Sequence, residues 1–155
     1  VNEDRNLHGG RNPIQNQFSS AYSAKKSMEL KNTYESINGI IYDFVVLLRY
    51  DIIIKQDINI DTLDNNTVYF SNYKPMFKPG LPRIKDFVFI SSSKNMNEYA
   101  SMFDHLEEYR NNEDCYRIKR NQLQFDFHRF KCHHIHKTLK IKMKSLDISK
   151  EKLYN

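Results

Sequence analysis

The chain of 155 residues carries 24 Lys and Arg against 19 Asp and Glu, a net charge of +5, and 39% of its residues are hydrophobic. This length and apolar share suit one domain or the larger part of one. Two cysteines at no recognised spacing make a disulfide framework unlikely. The longest apolar stretch, Ile40 to Ile54, is interrupted by charges and is shorter than the ~20 residues of a membrane span.

No leader peptide is visible in the polar residues that open the chain, so we expect a soluble, cytoplasmic protein without a membrane span. The chain begins with Val1 rather than Met, which suggests a fragment. Residues 1–13 are expected to form a polar amino-terminal segment. A helix is predicted over Ile14–Asn38, because Asn12-Pro13 suits a helix start and Asn38-Gly39 suits a helix end.

A buried strand is predicted next. Residues 44–48 are continuously apolar and rich in β-branched side chains. A run of this kind after a helix is typical of a strand buried on both faces of a parallel sheet. The sequence therefore places residues 45–48 at the centre of the sheet.

The later elements alternate between strands, loops and helices. Strands are predicted at residues 67–70 and 86–90, on either side of a proline-rich loop at 71–83. A helix is predicted at 93–110, a weaker helix at 113–127, a half-exposed strand near 139–143, and a polar tail at 146–155. This order predicts an α/β domain over residues 14–145, with a mostly parallel sheet flanked by helices.

Arg49 and Asp51 stand at the carboxyl end of the predicted central strand, where parallel sheets bind ligands. Alternate residues of a strand point to the same side, so a guanidinium and a carboxylate would face one pocket. A carboxylate can hold a divalent ion that bridges a diphosphate, and a guanidinium offers a planar fork for phosphate oxygens. The alternative is a plain Arg–Asp ion pair that caps the strand.

Three segments carry a resemblance to a known family. They are QNQFSSAYSAKK from Gln15, GIIYDFVVLLRYD from Gly39, and DFVFISSSKNMNEY from Asp86. In this order and spacing they resemble a group of poorly characterised glycosyltransferases from bacteria with capsular polysaccharides, algae and giant viruses. The resemblance covers roughly Gln15 to Tyr109, over half of the chain.

The resemblance implies a GT-A-like, Rossmann-related fold that transfers sugar from a nucleotide-sugar donor to a glycan or protein-linked acceptor. It implies donor or phosphate binding by Gln17, Arg49 and Asp51, a Mg²⁺ or Mn²⁺ ion on Asp51, and catalytic roles for Asp51 and Asp86. Asp86 would be the general base. Arg49 stands where the family's Asp-x-Asp motif has its first Asp. The strand–helix–strand unit that opens GT-A enzymes is not visible before Gln15, so we expect an incomplete domain.

Two other patterns lie near the carboxyl terminus. Cys115, His128, Cys132 and the histidines at 133, 134 and 136 match no zinc-binding spacing, and those three histidines are expected in a polar stretch leading into a strand. Bases interleaved with aromatics between Arg117 and Lys144 allow an alternative function, a basic nucleic-acid-binding or interaction module without catalytic activity. No nucleic-acid-binding motif accompanies them, so a solvated face is the simpler interpretation.

Overall fold

The computed structural model describes residues 14–71, 84, 87–119, 122–146 and 150–152. In this part the chain has an α/β arrangement, a four-stranded mixed sheet flanked by helices, which confirms the predicted class at that level. The helices are α1 (Ile14–Asn38), α2 (Ser93–Ala100), α3 (Leu106–Arg110) and α4 (Phe127–His133), with 3-10 turns at Ile60–Thr62, Ser101–Phe103 and Glu113–Cys115 and a π-helix at His134–Thr138. The strands are β1 (Val45–Leu48), β2 (Ile52–Ile54), β3 (Thr67–Ser71), β4 (Val88–Ser91), β5 (Tyr116–Lys119), β6 (Gln122–Phe125), β7 (Lys142–Leu146) and β8 (Lys150–Lys152).

The main sheet has the strand order β1-β4-β3-β7. Strand β4 pairs antiparallel with both β1 and β3, and only β3 and β7 run parallel. The expectation of a mostly parallel sheet is therefore wrong for the described strands. Burial was predicted on both faces of the strand at residues 45–48, and this is also wrong, because exposed and partly buried residues alternate along β1. The fully buried strands are instead β3 and β4.

Strand β1 lies at an edge of this sheet, so its predicted central position is also wrong. Its only partner among the described strands is β4, with Val45 opposite Ser91. Val45 and Leu47 pack against the core, whereas Val46 and Leu48 remain 45% and 42% exposed. The opposite edge is β7, whose Lys142 and Lys144 are exposed, and edge lysines of this kind discourage pairing with other strands.

In the helical layer, α1 has the bounds that the sequence predicts. Ala21, Ala24 and Met28 form its buried face and pack in one core with residues of α2, including Met96 and Tyr99. The predicted helix over 93–110 is divided into α2, the 3-10 turn and α3. Ser92 caps α2 through its side chain, which accepts a hydrogen bond from the amide of Asn95.

The carboxyl-terminal third differs most from the predictions. The weaker helix expected over 113–127 is instead a 3-10 turn followed by the antiparallel hairpin β5–β6, with the Tyr116 and Phe125 rings 5.3 Å apart. The histidines expected in a polar stretch lie in helical turns, on α4 and the π-helix. Asp126 starts α4 because its carboxylate accepts a hydrogen bond from the amide of His128 at 3.0 Å.

Glu35 connects three elements of the core. Its Oε1 accepts a hydrogen bond from the amide of Tyr42 at 2.9 Å, and its Oε2 pairs with Lys31 Nζ at 2.8 Å. The Ser93 hydroxyl donates to Oε2 at 3.1 Å, and Lys31 also donates to that hydroxyl. Since α1, the residues before β1 and the first turn of α2 all meet here, this carboxylate fixes where β1 begins. The Lys31 hydrogen bond, with that from Tyr42, lowers the pKa of Glu35 to about 2.

A second buried network joins α2, α3 and the π-helix. The Tyr109 hydroxyl lies 2.6 Å from His134 Nδ1 and 2.8 Å from the Thr138 hydroxyl, and His134 Nε2 lies 3.0 Å from the carbonyl oxygen of Glu98. A carbonyl only accepts, so Nε2 carries the proton and the neutral ring accepts from Tyr109 at Nδ1. Tyr109 and His134 are fully buried. Burial lowers the pKa of His134 to about 4 and raises that of Tyr109 to about 12.

Replacing Glu35 with Gln tests the first network. Because the folded state lowers the pKa of Glu35 from 4.5 to about 2, the charge stabilises the fold above pH 4.5, and this contribution is lost as the pH falls towards 2. We expect Glu35→Gln to lower Tm at neutral pH and the difference from wild type to shrink between pH 4.5 and 2. Glu29→Gln, which alters an exposed pair with Lys26, is the matched control and should change Tm little. If the Tm difference between Glu35→Gln and the wild type does not change with pH, the charge of Glu35 does not have the stabilising role assigned to it.

The second network predicts acid destabilisation in a different pH window. His134 protonates near 6.5 in the unfolded chain but only near 4 in the folded one, so stability falls as the pH drops from 6.5 to 4. The two pKa values correspond to about 3 kcal/mol of unfolding free energy across this window. Urea unfolding at a series of pH values should show that the unfolding free energy of His134→Gln falls less steeply with decreasing pH than that of the wild type. The exposed His136 provides the control, and His136→Gln should keep the wild-type slope.

Candidate functional site at the end of strand β1

The candidate site is a turn. The amide of Arg49 donates to the carbonyl of Phe87 at 3.1 Å, which continues the pairing of β1 along the neighbouring chain. The amide of Ile52 then donates to the carbonyl of Arg49 at 3.2 Å, and the chain enters β2. Asp51 and Arg49 were expected side by side on an extended strand end. They are brought together instead by this turn, which the buried side chain of Ile52 anchors.

Arg49 and Asp51 form a two-pronged ion pair. Arg49 Nε donates to Asp51 Oδ1 at 2.8 Å, and Arg49 Nη2 donates to Asp51 Oδ2 at 2.5 Å. The side chain of Arg49 is 40% exposed and that of Asp51 is 19% exposed. Both make further interactions, so neither group depends on the other alone. The ion-pair interpretation is therefore correct for the geometry, and the pair presents its guanidinium side to the surface.

One aromatic ring contacts the pair. The guanidinium carbon of Arg49 lies 5.4 Å from the ring centroid of Phe87, a distance at which a cation is attracted to the ring face. Tyr50, which lies between the two charged residues in the sequence, is 91% exposed. Its ring therefore offers a flat surface on the same turn.

Of the other predicted site residues, only Gln17 lies among the described residues. It belongs to the first turns of α1, and its side-chain oxygen is buried with no hydrogen-bond partner in the part of the chain that the structure describes. Asp86, the predicted general base, lies outside the described residues.

The predicted Mg²⁺ or Mn²⁺ would need the oxygens of Asp51 as ligands. Divalent cations of this kind take carboxylate and carbonyl oxygens as ligands. Both oxygens of Asp51 accept hydrogen bonds from Arg49, which already supplies their countercharge. Among the described residues no group of three or more His, Cys, Asp and Glu side chains is arranged to hold a metal ion. These residues fit a guanidinium-neutralised carboxylate better than a cation site.

A concave pocket of about 490 Å³ lies at the opposite end of β1. The sequence did not predict this pocket. Asp43, Asp61 and Asp64 line it, together with Phe44, Ile60, Leu63 and Asn65. Asp64 is part of the local fold: its carboxylate accepts hydrogen bonds from the Asn66 amide and the Thr67 hydroxyl, and these lower its pKa. The sequence signal was the Asp/Asn-rich segment after residue 57, which indicated only a loop.

Four of the carboxyl-terminal cysteines and histidines are buried, namely Cys115, Cys132, His133 and His134, whereas His136 is exposed. Burial raises the pKa of each thiol to about 12. His133 lies 3.6 Å from the carboxylate of Asp114, and burial lowers its pKa. The buried members pack inside the helical layer.

In the described segments no helix combines the length and apolar character needed to cross a bilayer. Comparison of the chain with protein-family models, with curated proteins and with solved structures finds no match.

Proposed function

We propose that this chain belongs to a nucleotide-sugar-dependent glycosyltransferase of the hexosyltransferase type, with a GT-A-like origin, and that Arg49 binds the diphosphate of the donor. The observation that carries the proposal is the half-exposed guanidinium of Arg49, held in one plane by Asp51 at the turn that ends β1. The order of the three family-like segments supports the same assignment, because the turn lies inside the second of them.

The proposed chemistry breaks the bond between the anomeric carbon and the diphosphate oxygen and forms a bond from that carbon to an acceptor hydroxyl oxygen. The nucleoside diphosphate leaves with the bonding electrons, and the acceptor proton passes to a base, for which Asp86 is the candidate. Catalysis needs positive charge at the leaving oxygens. Arg49 supplies it through N–H donors, which match phosphate oxygens in a way that a lysine ammonium does not.

Asp51 acts in this proposal mainly by positioning. Its two oxygens hold Nε and Nη2 of Arg49, which fixes the plane of the guanidinium at the turn. Asp51 offsets the charge of Arg49, so the pair recognises phosphate mainly by directed hydrogen bonds. Tyr50 then offers its exposed ring to the flat base or sugar of the donor.

The acceptor is a glycan or a protein-linked sugar in this proposal, and nucleic acid is not expected as a partner. No specific contact favours the alternative of a basic nucleic-acid-binding module. The exposed lysines of β7 have another explanation, since they protect a sheet edge. The two functions differ in salt dependence. Binding to nucleic acid weakens steeply with salt as counterions are released, whereas binding through the directed hydrogen bonds of one Arg–Asp pair should weaken less.

The proposal makes a prediction about donor binding. Nucleoside diphosphates should raise the Tm of the wild-type chain, and Arg49→Lys should remove most of that shift because an ammonium cannot reproduce the guanidinium fork. Arg110 is the matched control, since it is similarly exposed and is also paired with a carboxylate, Glu107. Arg110→Lys should keep the full shift. If no nucleoside diphosphate changes the Tm of the wild type at any salt concentration, donor binding by this chain is refuted.

The second prediction concerns turnover, measured as release of nucleoside diphosphate from a panel of nucleotide sugars. Asp51→Asn should lower turnover on the order of a hundredfold, because loss of one orienting group at a charged transition state has effects of this size. Asp43→Asn is the control, since Asp43 is an exposed carboxylate at the other end of β1. It should leave turnover within a few fold. Full turnover in Asp51→Asn, or loss only through unfolding, would make the pair structural.

A further inference from the structure

Helix α1 has an apolar stripe that faces away from the core. Leu30, Tyr34 and Ile37 stand at i, i+4 and i+7, and they are 74%, 53% and 78% exposed. Ile41, which follows the helix, is 82% exposed and is included with them. Tyr42 stacks on Tyr34 with ring centroids 6.3 Å apart, which makes helix and following segment one continuous surface, here called the α1 stripe.

The α1 stripe is distinct from the buried face of the same helix. At 3.6 residues per turn, Ala21, Ala24 and Met28 lie on a different side from Leu30 and Tyr34. An exposed helix usually has one apolar side, and the opposite side is polar. This helix therefore has two apolar sides, of which the core uses only one.

The area of the α1 stripe is large for a free surface. Large apolar side chains carry about 150–250 Å² each, so the four residues expose roughly 600 Å² at their observed exposures. This is at the upper end of the apolar patches that monomers expose, about 300–600 Å². It also approaches the ~800 Å² that one partner buries in a stable interface, and Ile40 and Tyr42, 42% and 38% exposed, add to it.

The lack of charge on the α1 stripe favours a second copy of the chain as the partner that covers it. The charged residues between Leu30 and Ile41 are Lys31 and Glu35, and both turn inward and pair with each other, with side chains only 9% and 10% exposed. The stripe is thus uncharged over its whole length and meets an identical stripe without repulsion. A heterologous partner selected by charge would find no opposite sign to recognise here.

We propose that two copies of this chain form a dimer in which their α1 stripes pack antiparallel around a two-fold axis at Tyr34. In this arrangement Tyr34 meets Tyr34 of the second copy, and Leu30 meets Ile37 of the second copy on either side. The interface is isologous, so the Leu30–Ile37 contact occurs twice and the Tyr34 contact lies on the axis. The proposal is independent of the glycosyltransferase assignment, because it uses none of the residues at the Arg49 turn.

The test uses a charge pair across the proposed axis. Leu30→Glu and Ile37→Lys each place an unpaired charge against an apolar residue, and each should weaken dimerisation by roughly 100-fold or more in sedimentation equilibrium. The double variant places each Glu opposite a Lys of the other copy and should recover at least ~10-fold of that loss. Ser36→Glu and Ser36→Lys add the same charges to an exposed position of α1 outside the stripe, and they should leave the dimer intact.

A crosslink provides an independent measurement. Tyr34→Cys should form a disulfide-linked dimer on mild oxidation, whereas Ser36→Cys should not, and both native cysteines are buried and do not compete. A wild-type chain that is monomeric at all concentrations would overturn the proposal. So would a dimer that resists both single substitutions, since another surface, such as edge strand β1, would then hold it together. If the double variant dimerises no more tightly than the single variants, the antiparallel arrangement is overturned.

Discussion

The carboxylate of Glu35 determines how the helical layer meets the sheet. It is nearly buried, and it holds the Tyr42 amide, the Lys31 ammonium and the Ser93 hydroxyl at one point. A buried carboxylate is tolerated only with such partners, so the three segments that supply them cannot shift independently. The end of α1, the beginning of β1 and the beginning of α2 are therefore fixed together. The position of everything further along β1, including the Arg49 turn, follows from this point.

The Arg49 turn shows how a sequence motif can keep its residues and change its geometry. Two charged residues separated by one position suggest a strand whose alternate side chains face one pocket. Here the hydrogen bond from Ile52 to Arg49 closes a turn, and the side chains meet because the backbone bends. The resulting pair is held by two directed hydrogen bonds, and the exposed ring of Tyr50 lies on the same turn. A site of this kind relies on hydrogen-bond geometry more than on concentrated charge.

Local signals explain which elements were predictable from the sequence. The bounds of α1 follow from Asn12-Pro13 and Asn38-Gly39, and the burial of β3 and β4 follows from their apolar runs. The edge position of β1 was not predictable in this way, because it depends on the pairing of Val45 with Ser91, far along the chain. Hairpin β5–β6 has an alternating pattern, Tyr116 and Ile118 then Leu123 and Phe125, that favours strands, and the helix prediction overlooked it. For the candidate site, the ion pair was foreseeable, but the turn that makes it was not.

The two edges of the main sheet differ in a way that limits assembly. Strand β7 carries exposed lysines, whereas β1 exposes Val46 and Leu48 and no charge. Growth of the main sheet by edge-to-edge addition needs two compatible edges on every copy, and its described strands offer one. An association that covers β1 leaves lysine-bearing β7 edges outside, and these repel one another. Within the described strands, the polarity of this sheet therefore favours addition that ends at a pair over addition that continues.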